Sequence, residues 1–214
     1  MNKELANHLL NKLINAPFID VGAGIVQAVE YSDTQYSDKN EGRVFVKRMP
    51  VAEMAVIKGD TGCTLDNVEK DLVPNSSKRG IFYFEDAGVQ PLGFKGSKMM
   101  YRSRLLLVCW INRQLAFGEK YALVSGRCIQ WFINQLVGKN PYNSDIFLGL
   151  TIKANRILEQ NKAIFSKYTY DEKVLQYLRP PFEYFAIEFV CEYGVSDCLP
   201  TIEDSTFVED CTQK

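Results

Sequence analysis

Alternation of apolar and polar positions is clearest in the stretch PPFEYFAIEFVCEY at residues 180–193. One alternate set is wholly apolar and comprises Phe185, Ile187, Phe189, Cys191 and Tyr193. The other set mixes apolar groups with two carboxylates and comprises Tyr184, Ala186, Glu188, Val190 and Glu192. A period of two predicts a β-strand after the two prolines. We expect the apolar face to pack under a helix predicted at residues 119–137. The mixed face is expected near a subunit boundary or beside another strand.

Helical patterns are few. Leucine and isoleucine recur at helical spacing in residues 3–15, which predicts an amphipathic helix with His8 solvated on its polar side. Residues 119–137 carry a wide apolar face and are followed by Gly138, a common helix stop. A third, short helix is predicted at residues 171–178, where two prolines soon follow.

Extended patterns occupy most of the remaining chain. The longest, YRSRLLLVCWINR at residues 101–113, contains seven consecutive apolar positions, so both faces of a strand there must be covered. Shorter strands are predicted at residues 25–31, 81–84 and 146–158, and in RVFVKRMP and VAEMAVIKG on either side of Pro50. The sequence DAGVQPLGFKGSK at residues 86–98 is typical of a loop. Gly22-Ala23-Gly24 is interpreted as a turn into the first strand, because a dinucleotide-binding loop would need a strand before it and a helix after it.

Together these elements predict an α+β fold. We expect an antiparallel or mixed sheet with a long central strand, packed by two main helices. Residues 1–195 are expected to form one domain, with a polar loop excursion at about residues 58–80. Residues 196–214 form a C-terminal arm with five acidic side chains and one lysine. Its apolar residues, expected to dock on a neighbouring chain, are Leu199, Ile202, Phe207 and Val208.

Composition narrows the function classes only slightly. The chain has 214 residues, of which 46% are hydrophobic and 24% charged, and its formal net charge is −1. No global basic field is therefore expected to hold nucleic acid. The N-terminus lacks a continuous apolar signal core, so we expect synthesis in a cytoplasm and six reduced cysteines. There is one histidine and no C-x-x-C pair, so we expect no metal and no cofactor.

Asp60-Thr61-Gly62 is the strongest catalytic motif. An Asp-Thr-Gly turn is the signature of aspartic proteases, in which two such turns bring two carboxylates together. A single copy could work in a homodimer. Proteases of that family have an apolar pair before the aspartate, whereas Lys58 and Gly59 stand there in this chain. A plain surface turn is therefore the preferred interpretation.

The single local basic cluster precedes the long strand. It comprises Lys95, Lys98, Arg102 and Arg104. Such a cluster could touch phosphate without sequence preference, and a solvated loop tip is the alternative interpretation.

The element order resembles that of the tail-terminator and neck-ring proteins of tailed bacteriophages. The residues that carry the resemblance are LLLVCWIN in the long strand, EKYALVSGRCIQWFINQLV in the helix, and YFAIEFVCEY at the end. The composition further resembles that of crAss-like phages. This resemblance implies a structural virion protein without enzymatic activity, located in the neck or tail. It would form a homo-oligomeric ring of six or twelve subunits, contact portal, neck or tail proteins, and leave a channel for passing DNA.

The residue pattern also suggests an oligomer, because the long strand and the mixed face of the last strand exceed what one small helical layer can cover. Expected interface residues are Tyr184, Val190, Leu199, Ile202, Phe207 and Val208, and the possible DNA-channel contacts are Lys95 and Lys98. No membrane contact is expected. Two alternatives stay open: a small dimeric aspartic protease at Asp60-Thr61-Gly62, and a monomeric adaptor module. The mass in solution discriminates among the three.

Overall fold

One seven-stranded mixed sheet organises the described part of the chain, where three α-helices and two 3-10 helices accompany it. The computed structural model describes residues 1–33, 45–52, 55–57, 72–118, 123–138, 146–169 and 175–195. The helices of these ranges are α1 (Asn2–Leu13), α2 (Arg113–Phe117), α3 (Ser125–Leu136) and the 3-10 helices Lys162–Phe165 and Gln176–Leu178. The strands are β1 (Val21–Asp33), β2 (Phe45–Ala52), β3 (Ala55–Ile57), β4 (Gly80–Lys95), β5 (Lys98–Asn112), β6 (Phe147–Glu159) and β7 (Phe182–Val195).

The strand order is β2-β1-β4-β5-β7-β6, with β3 paired to β1. Strands β1 and β4 run parallel, and the other described pairs are antiparallel. β5 pairs with β4 on one side and β7 on the other, so the longest apolar run lies centrally in the sheet. The α+β class, the mixed sheet and the long central strand are thus confirmed.

The first face of the sheet packs against α1 and α3. Side chains of Phe185, Ile187 and Phe189 on β7 are buried there in one cluster with apolar residues of both helices. The Phe132 ring of α3 lies 6.1 Å from the Phe185 ring, centroid to centroid. The expectation that the apolar face of the last strand packs beneath this helix is confirmed.

The second face is covered by the chain itself at one end of the sheet. Tyr184 and Ala186 are buried there beside the two 3-10 helices, and the Phe165 ring lies 5.2 Å from the Tyr184 ring. Trp110 of β5 donates an indole hydrogen bond of 2.7 Å to the carbonyl of Tyr177. Tyr184 is 3% exposed, so the chain itself covers this side chain, which we expected at a subunit interface. The 3-10 segments form a second layer that the sequence pattern did not reveal.

The stretch predicted as a loop at residues 86–98 is mostly strand. β4 continues to Lys95 and forms a long hairpin with β5, and Lys95 pairs with Lys98 across the turn. The register shifts twice, near Gly88 and Gly93, which have φ of 108° and 94°. β-Bulges break the alternation of side chains and place glycine at positive φ, so this strand has the composition of a loop.

Gly22-Ala23-Gly24 is not a turn, because it lies inside β1. A Cβ on Gly22 would lie 2.7 Å from a ring carbon of Phe82 and 2.7 Å from a methyl carbon of Ile14. Glycine is needed at this position because α1 and β4 approach the β1 backbone closely.

His8 is half-buried rather than solvated. Its ring lies 5.9 Å from the ring of Phe147 in an edge-on contact. Burial lowers the pKa of His8 below 6.5, and the charge of Lys12 lowers it further. The polar side of α1 therefore faces the β6 end of the molecule in part.

Other predicted bounds differ from those observed. β1 begins at Val21 rather than residue 25, and α3 begins at Ser125. Of the third helix predicted at residues 171–178, residues 171–174 lie outside the described part of the chain, and Gln176–Leu178 form a 3-10 helix. β6 matches its predicted range closely. Of the polar excursion at residues 58–80, residues 58–71 lie outside the described part of the chain, and Leu72 is fully buried.

A carboxylate–guanidinium pair joins the start of β1 to the start of β4. Arg79 donates to Asp20 from its backbone nitrogen at 2.6 Å and from Nε at 2.7 Å. Burial raises the pKa of Asp20, but hydrogen bonds and charge from Arg79 outweigh it and hold the pKa below 3.8. Because the pKa of Asp20 is lowered in the folded state, the ionised carboxylate stabilises the fold above pH 3.8. This stabilisation is lost as the pH falls through the folded-state pKa.

Replacement Asp20→Asn should therefore destabilise the protein at neutral pH and lose its effect in acid. The difference in free energy of unfolding from wild type should be largest above pH 4 and shrink below it, as the wild-type carboxylate is protonated. Urea unfolding at a series of pH values measures this difference. A difference that stays constant from neutral pH to pH 3 would contradict the role of the Asp20 charge.

Replacement Phe189→Ala should destabilise the subunit by about 3 to 5 kcal/mol, the usual cost of removing a buried aromatic ring. Phe189 is fully buried in the core cluster that the first face of the sheet forms with α1 and α3. Leu123→Ala is the control, because Leu123 is 77% exposed and its loss should change stability by no more than about 0.5 kcal/mol. Chemical denaturation followed by circular dichroism compares the two variants.

Candidate functional site

An open groove lies on the second face of the sheet, beyond the end that the 3-10 helices cover. Its volume is about 640 Å³. Its floor comes from β5, β7 and β6, and one wall comes from the bulged part of β4. The lining residues that matter most for its chemistry are Arg102, Arg104, Lys153, Val190, Glu192 and Val89.

Strand register places the charged side chains on one face. Arg102 pairs with Glu192, and Arg104 pairs with Val190 across β5 and β7. Lys153 of β6 pairs with Val190 from the other side. Side chains at alternate positions of paired strands share a face, so two strands, β5 and β6, contribute cations to one groove on either side of β7.

Two carboxylates partly neutralise these cations. Arg102 contacts Glu192 from Nε at 2.9 Å and through a terminal nitrogen at 2.7 Å. Arg104 lies farther from Glu188, at 3.8 Å, and its side chain is 55% exposed. Solvent screens such pairs, so each contributes about 0 to 1 kcal/mol.

The groove keeps an excess of positive charge. Arg156 of β6 pairs with Glu188 in the register, so it adds a fourth cation just outside the groove, on the side nearer to the 3-10 helices. Four cations therefore accompany two carboxylates, and the exposed ones are able to bind a carboxylate or phosphate from solvent. The sequence reveals Arg102 and Arg104 as part of a basic cluster. It did not reveal Lys153 and Arg156, because only the pairing of β6 with β7 brings them there.

The structure separates the residues predicted for the interface and the DNA channel. Val190 lines the groove. Lys95 and Lys98 are exposed at the turn of the β4–β5 hairpin rather than in the groove. The predicted interface residues of the arm, and the Asp-Thr-Gly motif, lie outside the described part of the chain: Leu199, Ile202, Phe207, Val208, and Asp60-Thr61-Gly62.

A second cluster of ionisable groups is buried where β7 begins. Glu183 is 1% exposed and Arg113 is 4% exposed, and the Arg113 terminal nitrogen lies 3.3 Å from a carboxylate oxygen of Glu183. Glu183 also accepts backbone hydrogen bonds from Val124 at 3.0 Å and Ser125 at 2.6 Å. These are the first amides of α3, so the carboxylate caps the positive end of that helix.

The contacts of this buried cluster are structural. Arg113 donates from Nε to the carbonyl of Pro181 at 2.6 Å, and the Ser125 hydroxyl donates to Glu159 at 2.7 Å. The cluster thus joins the start of α2, the start of α3 and the start of β7. Of the two charged clusters, the groove is the one open to solvent and able to meet a ligand.

The three buried cysteines do not form a reactive thiol site. Burial raises the pKa of Cys128 and of Cys191 to about 12, and it raises the pKa of Cys109 well above its usual value. A thiol with so high a pKa is protonated at neutral pH and is a poor nucleophile. These side chains act as small apolar core residues.

Comparison of the chain with protein-family models, with curated proteins and with solved structures finds no match. Within the described ranges, no helix is long and apolar enough to cross a membrane. Those same ranges contain no cluster of three or more histidine, cysteine, aspartate or glutamate residues arranged to hold a metal ion.

Replacement Glu183→Gln should destabilise the protein by about 3 to 5 kcal/mol, because it removes the carboxylate charge that lies 3.3 Å from the buried Arg113 guanidinium. Glu188→Gln is the matched control, since the Glu188 side chain is more exposed than that of Glu183, at 17%, and lies 3.8 Å from the exposed Arg104. We expect the control to change stability by less than about 1 kcal/mol. Equal losses in urea unfolding for both variants would show that the buried cluster has no special role.

Proposed function

We propose that this protein is a structural subunit of a homo-oligomeric ring at the head–tail junction of a tailed bacteriophage. The β4–β5 hairpin is the observation that carries the proposal. Residues 86–95 of its first strand extend beyond the part of β4 that pairs with β1, and they expose apolar side chains to solvent. Phe94 is 76% exposed, and Leu92 and Val89 are 41% and 40% exposed. Contiguous exposed apolar groups are typical of surfaces that contact another protein.

The hairpin also offers an unpaired strand edge. β1 pairs with β4 only as far as Phe84, so within the described ranges no strand lies beside residues 86–95 on that side. An edge of this kind has free backbone donors and acceptors that another strand is able to pair with. Exposed apolar side chains on the same strand make pairing with a second copy more favourable than hydration.

Contact of the hairpin with a different surface of the next copy would be heterologous, and such contacts close into rings when the rotation permits. This interface replaces the one expected at Tyr184, because the second 3-10 layer already covers that side chain. The element order and the resemblance to tail-terminator and neck-ring proteins support a position between portal and tail. The proposed neighbours are therefore further copies of the chain and adjacent portal, neck or tail proteins.

Lys95 and Lys98 suit a weak contact with DNA that passes through such a ring. Both are exposed, and they stand opposite each other at the hairpin turn. Two lysines per subunit give a sequence-independent attraction that weakens with salt. Weak contact fits a channel, because tight binding would stop the duplex.

Replacement of both Leu92 and Phe94 by serine should convert the assembly to smaller species, because it removes the exposed apolar groups of the hairpin. We expect the wild-type protein to have six or twelve times the subunit mass. Light scattering after size exclusion measures the mass, and negative-stain images show whether the particles are rings.

Leu115→Ser is the matched control for these replacements. Leu115 is 47% exposed but lies on α2, away from the hairpin, so its loss should leave the mass unchanged. A wild-type protein that is monomeric at all concentrations would overturn the ring and favour the adaptor module. A dimer with pepstatin-sensitive proteolysis would overturn it in favour of the protease.

A further inference from the structure

We propose that the charged groove of one subunit binds the acidic C-terminal segment, residues 196–214, of a neighbouring copy. This inference rests on the oligomer of the proposed function and names the contact between its subunits. The groove offers the cations Arg102, Arg104 and Lys153, and the segment carries five acidic residues against one lysine. The two charge patterns are complementary.

The groove also accommodates apolar side chains. Val89, Ala154 and Val190 lie among its charged residues. The segment interleaves its acidic residues with leucine, isoleucine, phenylalanine and valine. Mixed apolar and charged contacts suit an acidic peptide better than a phosphate backbone, which presents uniform dense charge.

The two carboxylates of the groove point to the same ligand class. Glu192 and Glu188 lie beside Arg102 and Arg104 and lower the local positive potential. A DNA duplex carries one negative charge per ~1.7 Å, so some of its phosphates would lie close to these carboxylates and be repelled. A peptide has few acidic groups and is able to place them beside the arginines and away from the carboxylates. The observations therefore favour an acidic peptide over DNA.

The direction of β7 favours a neighbouring copy over the same chain. β7 crosses the groove floor at Val190 and Glu192, then leaves it and ends at Val195. The last described residues of β7 therefore head away from the groove, so a contact with the groove of the same chain would require the chain to reverse direction. A segment of 19 residues spans up to roughly 60 Å when extended, which is enough to reach the groove of an adjacent subunit.

Zero-length cross-linking of full-length protein tests the contact. Equal amounts of ¹⁴N-labelled and ¹⁵N-labelled chains are unfolded, mixed, refolded and treated with a carbodiimide that joins lysine amines to carboxylates. We expect peptides that link Lys153 to acidic residues of 196–214, with the two halves carrying different isotopes in about half of the products. This share follows because random mixing places unlike chains side by side half of the time.

Three matched controls separate the groove from general surface reactivity. Lys162 is exposed on the 3-10 helix Lys162–Phe165, outside the groove lining, and should give few links to the segment. Lys153→Arg keeps the charge but removes the reactive amine, so the links should vanish while the mass of the assembly is retained. Arg104→Gln should lower the link yield by about fivefold, the effect of losing one favourable exposed ion pair.

Distinct results would overturn the inference. If the two peptides of every link carried the same isotope, the segment would be bound to the groove of its own chain. Absence of links from Lys153 would remove the segment from the groove, and loss of labelled-duplex binding in Arg104→Gln would then assign the groove to DNA. Light scattering on the same samples keeps the two proposals apart: a ring without these links refutes the inference alone, whereas a monomer refutes the proposed function.

Discussion

The buried contact between Glu183 and the first turn of α3 is the constraint on which the rest of the structure depends. β7 begins next to this carboxylate, and α3 begins next to the backbone amides that donate hydrogen bonds to it. Arg113 compensates the charge and holds the end of β5 against the two prolines that precede β7. Because burying a carboxylate is costly unless it is paired and fully hydrogen-bonded, only one relative placement of these three elements satisfies it. That placement fixes the register in which the central strands β5 and β7 pair.

Register then determines what each face of the sheet carries. With β5 and β7 aligned at Cys109 and Phe185, every apolar residue of the odd-numbered set meets the helical layer. The even-numbered set is divided between two environments. Tyr184 and Ala186 lie under the 3-10 helices. Tyr168 and Lys167, which follow the first of these helices, hold it in place through a hydrogen bond and an ion pair with the buried Glu85. The second half of the even-numbered set, beyond these contacts, is the open groove.

Sequence periodicity was sufficient for the α+β class, the central strand, β6, and the inward face of β7. It failed where local composition and structure diverge. The long strand β4 has bulges near Gly88 and Gly93, and these glycines make its sequence resemble that of a loop. The 3-10 layer has no periodic signal, and Tyr184 was therefore assigned to an interface. The groove could be predicted only in part, because Lys153 joins Arg104 through a strand pairing that residue patterns do not encode.

The second face of the sheet is covered by the chain itself at one end and open at the other, and this division has a functional consequence. The closed half buries its apolar surface within the chain, so the subunit does not need a neighbour in order to fold there. The open half gathers the exposed hairpin, the unpaired β4 edge, the cationic groove and the exit of β7 at one end of the molecule. Exposed ion pairs and edge strands contribute little to folding, but they act readily in association. The proposed assembly contacts thus lie where they cost the fold least, an arrangement that suits the ring subunit proposed above.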